Sequence, residues 1–105
     1  MICKIIFANL NEEEKADRLA EILLKKKLVL YVDVIKTKSY RLTDIGKVEK
    51  ENEYLLIAKT NNNLVEEAKK EILCHIPYEK GDMILLDASD KATRMDLLLS
   101  KLTGE

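Results

Sequence analysis

The sequence is poor in cysteine, glycine, proline and tryptophan. It contains two cysteines, three glycines, one proline and no tryptophan. Cys3 and Cys74 form no CxxC pair, and a domain of this size can hold its core without disulfides, so we expect reduced thiols. No repeat, low-complexity tract or flexible linker divides the chain. With 105 residues, 47% of them hydrophobic, we predict one domain over residues 1–105.

The chain also lacks an excess of either charge and lacks long hydrophobic runs. Lys and Arg number 18 against 19 Asp and Glu, so no overall field favours nucleic acid, anionic lipid or an acidic substrate. Apolar runs such as residues 83–86 fall far short of the roughly 20 residues that cross a bilayer. The N-terminus has no basic region followed by an apolar segment and a cleavage site. These absences predict a soluble cytoplasmic protein with neither nucleic-acid nor membrane partners.

The first part of the chain predicts a strand, a helix and a second strand. Residues 2–8 are short, apolar and partly β-branched, which indicates a buried strand. Asn11 then stands three residues before Glu14, the spacing of a capping box, and apolar residues follow at helical intervals. We therefore predict a helix over about residues 12–26. Residues 28–35 are dense in Leu, Val and Ile and predict a second strand, with a continuation towards Tyr40 left open.

A projecting hairpin is predicted around Gly46. The sequence is charged from residue 47 to residue 53 and becomes apolar over residues 54–58. This change is typical of an arm that leaves the body of a protein and re-enters it as a third strand.

The last part of the chain predicts two helices and a fourth strand. Asn61 or Asn62 can cap a helix that Pro77 stops, because proline lacks the next backbone donor. Residues 83–88 predict a strand, after which Ser89 caps a final helix. The apolar residues of the two helices recur at three- and four-residue steps: Val65, Ala68, Ile72 and Ile76 in the first, and Ala92, Met95, Leu99 and Leu102 in the second.

The order βαββαβ predicts an α+β, ferredoxin-like antiparallel sheet, with the projecting hairpin and an extra C-terminal helix. Side chains of a strand alternate between the two sheet faces, and here both sets are largely apolar, as Ile5 and Phe7 against Ile6 and Ala8 illustrate. Two helices on one face cannot cover both sets. The second face is therefore covered either by the extra helix or by other subunits, and we favour subunits.

Several segments follow one another in the order and spacing of a known family. They are residues 16–28 (ADRLAEILLKKKL), Gly46-Lys47, Glu53 before an apolar strand that ends in Lys59-Thr60, and Pro77-Tyr78. With them the chain resembles the CutA family of divalent-cation tolerance proteins over nearly its whole length. The resemblance implies a ferredoxin-like homotrimer, similar in fold to PII signalling proteins, that serves divalent metal (copper) tolerance or homeostasis by binding or scaffolding.

Two departures from the family concern functional positions. Where the family typically has an aromatic pair and a Trp, this chain has the run Leu42, Thr43, Asp44 and Ile45. The His-Pro-Tyr of the family stands here as Ile76-Pro77-Tyr78, with His75 one position early. Functions of those aromatic and His side chains in the family therefore do not transfer directly to this chain.

Cys74 and His75 are the candidate metal ligands. A thiolate and an imidazole suit copper or zinc. Neighbouring helical residues diverge by about 100 degrees, however, which makes it hard for both to hold one ion. The alternative is a buried Cys beside a His that the helix dipole stabilises. A metal site shared between subunits stays open, with a divalent ion such as copper as its cofactor.

The candidate ligand or intersubunit cleft contains Lys47, Glu53, Lys59 and Tyr78. Glu53 ends an alternating run of carboxylates that hard divalent ions would accept, whereas the alternative is a solvated strand face. Lys59 stands at a strand end before a capped helix, where it can meet an anion or form an intersubunit salt bridge. By resemblance, Tyr78 shapes the cleft between subunits, and its alternative is packing across the trimer interface.

No catalytic arrangement stands out in the sequence. It has a single His, no Gly-rich phosphate loop, no GxSxG and no metalloprotease helix motif, so we predict that the protein is not an enzyme. The alternative to a metal-tolerance protein is a PII-like signalling protein that binds a nucleotide or small anion at intersubunit clefts, with the arm of residues 40–53 as a moving reporter. A third interpretation is an adaptor trimer that anchors a partner protein.

Overall fold

The computed structural model describes residues 2–76 and 83–89, and no helix within these ranges is long and apolar enough to cross a membrane. The elements are β1 (Ile2–Leu10), α1 (Glu13–Lys25), β2 (Tyr31–Leu42), β3 (Val48–Asn61), α2 (Val65–Leu73) and β4 (Met83–Ser89). The strands form one antiparallel sheet in the order β2-β3-β1-β4, which confirms the predicted α+β, ferredoxin-like arrangement. Pro77, Tyr78 and the predicted last helix lie outside the described residues.

Both helices pack on the same face of the sheet. The core combines alternate residues of β1 and β3 with the apolar stripes of the two helices. Its largest fully buried side chains are Ile6, Leu19, Leu23, Leu56 and Ile72. The periodicity predicted for α2 is confirmed, because Val65, Ala68, Ile72 and Ile76 are all buried.

Helix α1 begins without the capping box that the sequence predicted. Its N-cap is Glu12, and no side chain accepts a hydrogen bond there. The prediction that Asn11 caps this helix with Glu14 is wrong, because Asn11 lies one residue before the N-cap position, from which a side chain reaches the first free amides. Glu13 and Glu14 in the first turn still complement the helix dipole.

The C-terminus of α1 is closed by the backbone itself. The Lys27 amide donates to the Leu24 carbonyl and the Leu28 amide donates to the Leu23 carbonyl, both over 3.0 Å. These two bonds form a Schellman motif, in which Lys27 occupies the left-handed position with a φ of 58°. Glycine is favoured there, so the lysine carries a conformational cost.

Side chains of Thr60 and Asn61 connect the end of β3 to both helices. The buried Thr60 hydroxyl donates to the Leu28 carbonyl over 2.7 Å, just after α1. Asn61 Oδ1 accepts the amide protons of Asn63 and Leu64 at 3.0 and 3.1 Å, one turn before α2. Asn61, one of the two predicted caps, therefore orders the entry to α2, although the N-cap position itself is Leu64.

The projecting hairpin exists, and it starts at residue 37 where the sequence predicted residue 40. β3 pairs with β1 only as far as Tyr54, opposite Leu10, whereas it pairs with β2 from Lys59 out to Val48. We call residues 37–53 the arm and the other described residues the body. Gly46, with a φ of 80°, makes the reversal as predicted. β3 is one continuous strand through the arm, and it does not begin at Tyr54.

The sheet face opposite the helices is covered by none of the described elements. We call this surface the open face. Its side chains include Ile35, Ile84 and Leu86, which are 45% exposed or more. The ladder places further apolar residues in the same rows: Ile5 beside Leu86, Phe7 between Ile57 and Ile84, and Leu55 beside Ile35. The sequence-based expectation that two helices leave an apolar face is confirmed for the described residues.

Candidate functional site

The candidate metal ligands Cys74 and His75 lie just after α2. Cys74 is the C-cap residue, and its thiol is exposed. The His75 side chain is half-buried, and its backbone amide donates to the Ile72 carbonyl. The alternative of a buried structural cysteine therefore does not hold for Cys74. The pair is accessible for coordination, but it offers one ion only two protein ligands.

The described part of one chain does not complete a metal site around this pair. The carboxylate of Glu71, one helical turn before Cys74, forms an ion pair with Lys26 at 2.7 Å. Within residues 2–76 and 83–89, no group of three or more His, Cys, Asp and Glu side chains is arranged to hold a metal ion. A tetrahedral zinc site takes four ligands. Any ion at Cys74 and His75 thus needs ligands from outside this part of the chain.

The candidate cleft residues are spread along one line of the molecule. Lys47 stands at the arm's tip, Glu53 at its base, and Lys59 near the far end of β3. Each of these three residues lies six positions from the next, which is about 20 Å along a strand. One chain therefore does not bring these three together. Their grouping at an intersubunit cleft stays a prediction, and Tyr78 lies outside the described residues.

Glu53 is a buried carboxylate, and Arg41 is its partner. The residue is 3% exposed, so the predicted solvated strand face is wrong at this position. Arg41 Nη2 donates to Glu53 Oε1 over 2.7 Å, and Nη1 donates to Glu51 Oε2 over 3.1 Å. The buried charge is thus compensated by a guanidinium that holds two carboxylates at once.

The carboxylates of Glu53 and Glu51 stabilise the charged form of Arg41. The hydrogen bond to Glu53 and that carboxylate's charge raise the pKa of the Arg41 guanidinium, with Glu51 adding to the effect. A raised pKa in the folded state stabilises the fold below the ordinary arginine pKa and ceases to do so only above the raised value. The arginine therefore stays charged at every physiological pH. Arg41 was not among the residues predicted from the sequence. Its one signal there is a position across the Gly46 turn from the alternating residues Glu49, Glu51 and Glu53.

Lys59 lies on the open face over an aromatic ring. Its Nζ is 5.4 Å from the centroid of the Tyr31 ring, which is opposite it in the β2–β3 ladder. This cation–π contact holds the lysine at the edge of the apolar surface. Lys59 and Glu53 are an even number of positions apart on β3, so both side chains lie on the same side of the sheet. Lys59 borders the open face, and Glu53 borders its extension into the arm.

Proteins of similar sequence match most of the chain. The family model described as CutA1 divalent ion tolerance protein matches residues 4–95. The divalent-cation tolerance protein CutA of Archaeoglobus fulgidus is 33% identical over 74% of this chain and 85% of its own. The divalent-cation tolerance protein CutA of Pyrococcus horikoshii is 28% identical over 82% of this chain and 83% of its own.

Solved structures share the fold. CutA1 from Ehrlichia chaffeensis has a TM-score of 0.85 at 22% identity, covering 96% of this chain and 94% of that one. CutA from Pyrococcus horikoshii, in the presence of 3 M guanidine hydrochloride, has a TM-score of 0.83 at 26% identity, covering 97% and 98%. The four-stranded antiparallel sheet with its two helices is therefore shared over nearly the full length of these proteins.

Proposed function

The chain belongs to the CutA1 divalent ion tolerance protein family, and from this premise we propose that it acts as a homotrimer that binds a divalent metal ion such as copper, or that scaffolds a partner protein. The proposal assigns it no enzymatic activity. It keeps the cytoplasmic location predicted from the sequence, although a similar structure from Archaeoglobus fulgidus is described as periplasmic. Cell fractionation tests that part.

The open face is the observation that carries the proposal. Burying an aliphatic or aromatic side chain contributes about 1.5–3 kcal/mol relative to leaving it in water. The open face presents several such side chains around Phe7 and Ile57, and its outer members are among the most exposed hydrophobics of the body. Contiguous apolar surface of this kind marks an interaction site. A neighbouring subunit covers it, and the number three follows the resemblance to the family.

The predicted cleft requires the same assembly. Lys47, Glu53 and Lys59 cannot meet within one chain, because about 20 Å of strand separates each from the next. Copies related by a rotation place different parts of β3 beside one another. A cleft that combines these residues with Tyr78 therefore requires more than one subunit.

Metal binding on this proposal uses ligands from several subunits. Cys74 and His75 are accessible and suit copper or zinc. Because the described part of one chain supplies no third ligand beside them, we assign the remaining ligands to acidic side chains of other copies. The ion then depends on the assembly and is not a fixed part of the single chain.

Metal titration of the assembled protein tests the proposal. Cu(II) and Zn(II) are titrated calorimetrically into the wild type, Cys74→Ser and His75→Ala, with solution mass recorded at each end point. Cys3→Ala is the matched control, because it removes the other thiol, which is buried. We expect saturable binding that both ligand variants weaken by tenfold or more (about 1.4 kcal/mol) and that the control leaves unchanged.

Other outcomes separate the alternatives. Binding that neither ligand variant alters would reject Cys74 and His75 as the site. A trimer that binds no metal but saturates with ATP would favour the PII-like alternative. An assembled trimer inert to both would leave only the scaffolding form of the proposal, to be followed by identification of the protein that it holds.

A further inference from the structure

The end of α2 carries three metal-ligating side chains of different chemistry. Glu71, Cys74 and His75 supply a carboxylate, a thiol and an imidazole in the order Glu-x-x-Cys-His. Side chains three and four positions apart in a helix lie on the same side, with their Cβ atoms about 5–6 Å apart. Glu71 therefore stands one turn before the other two residues, between the directions in which their side chains diverge.

The helical backbone that makes this spacing valid continues past the last residue of α2. The Cys74 amide donates to the Lys70 carbonyl over 3.2 Å, and Cys74 has the φ and ψ of a right-handed helix. The His75 amide donates to the Ile72 carbonyl over 3.0 Å, which closes a tighter final turn. The three side chains thus belong to one continuous stretch of helical backbone.

In the structure the Glu71 carboxylate is paired with Lys26, the C-cap residue of α1. The ion pair spans 2.7 Å, with the Glu71 side chain 18% exposed and the Lys26 side chain 57% exposed. An ammonium group and a metal ion compete for the same carboxylate oxygens, because both are cations that bind them directly. With Glu71 paired in this way, the described residues contain no group of three ligands arranged to hold an ion.

We propose that Glu71 leaves Lys26 and joins Cys74 and His75 as the third ligand of a divalent ion of the zinc type. The inference rests on the metal-binding form of the proposed function, and it adds a ligand from the same chain to those taken from other copies. Zinc accepts a carboxylate oxygen, a thiolate sulfur and an imidazole nitrogen at about 2.0–2.3 Å. The fourth position is open to water or to an acidic side chain of another copy.

The surroundings of these side chains favour exchange of Lys26 for a metal ion. Cys74 is exposed, and within the described part of the chain no hydrogen bond or ion pair engages the side chains of Cys74 and His75. The Lys26 ammonium is largely in solvent, so its ion pair contributes little and the released group is readily hydrated. A helix C-terminus also carries partial negative charge, which favours a cation there.

Zn(II) calorimetry and Co(II) absorption spectra, recorded without oxygen, test the inference. The variants are Glu71→Gln and Lys26→Met. Their matched controls are Glu67→Gln, one turn earlier in α2, and Lys25→Met, beside Lys26, because each control residue also forms an ion pair on an exposed surface. We expect Glu71→Gln to weaken Zn(II) binding by about tenfold or more and Lys26→Met to tighten it by about threefold. Both controls bind Zn(II) as the wild type does.

The opposite signs of the two effects separate a ligand from a structural residue. If the ion pair only held α1 against α2, removal of either partner would disturb the same helix end, and both variants would bind more weakly. If Glu71 is a ligand, the loss of Lys26 frees it for the ion. Co(II) adds a readout of geometry: the charge-transfer band from the Cys74 thiolate persists in Glu71→Gln, whereas the visible bands of four-coordinate Co(II) lose intensity.

The contradicting results are distinct. Zn(II) affinity in Glu71→Gln equal to that of the wild type, with Cys74→Ser and His75→Ala still weakened, would overturn this inference and leave the proposed function standing. Weaker binding by Lys26→Met would overturn the competition between Lys26 and the ion. A wild type that binds neither Zn(II) nor Co(II) would reject this inference together with the metal-binding form of the proposed function, and its scaffolding form would remain.

Discussion

The body and the arm keep their strands paired by different means. In the body, helices α1 and α2 bury one face of the sheet, and side chains such as Ile6 and Leu56 are fully enclosed. In the arm, the same two strands continue without a helix, and a buried carboxylate with its arginine holds one side. The other side is exposed and carries Tyr40, Leu42 and Val48 beside Lys38, Lys50 and Asn52.

The β2–β3 ladder therefore serves two purposes, one in the body and one in the arm. The body is stabilised by burial within the chain, which is the largest favourable contribution to folding. The arm has little to bury by itself and relies on cross-strand pairs, each of which contributes only a fraction of a kcal/mol to about 1 kcal/mol. Its exposed side chains Tyr40, Leu42 and Val48 are therefore accessible to another molecule, whereas the core is not.

The largest expected effect comes from a cavity in the body. Leu56→Ala should lower the free energy of unfolding by about 2–5 kcal/mol, because Leu56 is fully buried. Leu42→Ala makes the same chemical change in the arm, where the side chain is 74% exposed, and should cost less than half as much. Urea denaturation of both variants measures this, and equal losses would contradict the distinction between body and arm.

A charge on the open face should act on assembly instead of folding. Ile84→Asp places a carboxylate on a side chain that is 58% exposed in the single chain. Burial of that charge under a neighbour should weaken association at least about 100-fold, or 2.8 kcal/mol. Leu24→Asp, on the exposed side of α1, is the matched control. Circular dichroism and solution mass report the two properties, and an unchanged mass for Ile84→Asp would exclude the open face as the interface.

A threonine hydroxyl in the body and one at the base of the arm should differ as well. Thr60→Val removes a buried 2.7 Å hydrogen bond to the Leu28 carbonyl and should cost about 1–2 kcal/mol of unfolding free energy. Thr37→Val removes a 3.4 Å bond to the Glu53 carbonyl in the arm and should cost less than about 0.5 kcal/mol. Thermal unfolding compares them, and a larger loss for Thr37→Val would reverse the ranking.

The smallest effects concern two residues whose backbone lies in the left-handed region, with a positive φ. Lys27→Gly in the body should stabilise by about 0.5–1 kcal/mol, because glycine adopts a φ of 58° without steric cost. Gly46→Ala at the arm's turn, with a φ of 80° and open space around the added methyl, should destabilise by about 1 kcal/mol. Calorimetry checks both signs, and a loss of stability in Lys27→Gly would show that the lysine side chain makes a contribution beyond its backbone conformation.

The fold was predictable where a local period decides the structure. The stripe ending in Ile72 and Ile76 and the reversal at Gly46 follow from spacing and backbone preference. The start of α1 was not predictable in this way, since Asn11 has the right chemistry at a position one residue too early. The arm, predicted over residues 40–53, starts three residues earlier in the structure, because charged strands that pair with each other carry no apolar period that marks their start.

The site was less predictable than the fold. The pairing of Arg41 with Glu53 depends on the β2–β3 register, which sequence spacing does not define beyond the turn. Cys74 is exposed and Glu53 is buried, whereas a buried cysteine and a solvated glutamate were the simplest expectations. The burial of each residue depends on neighbours that are distant in sequence. The resemblance supplied the family, while the proposed ligands and cleft still depend on how the subunits meet.

Solution mass measured by light scattering over a range of concentrations, without added metal, decides whether copies of this chain cover the open face. We expect a mass near three chains of 12.1 kDa, unchanged when Cu(II) or Zn(II) is added. A mass of one chain at every concentration would contradict this expectation, because the apolar open face would then have no second copy to cover it.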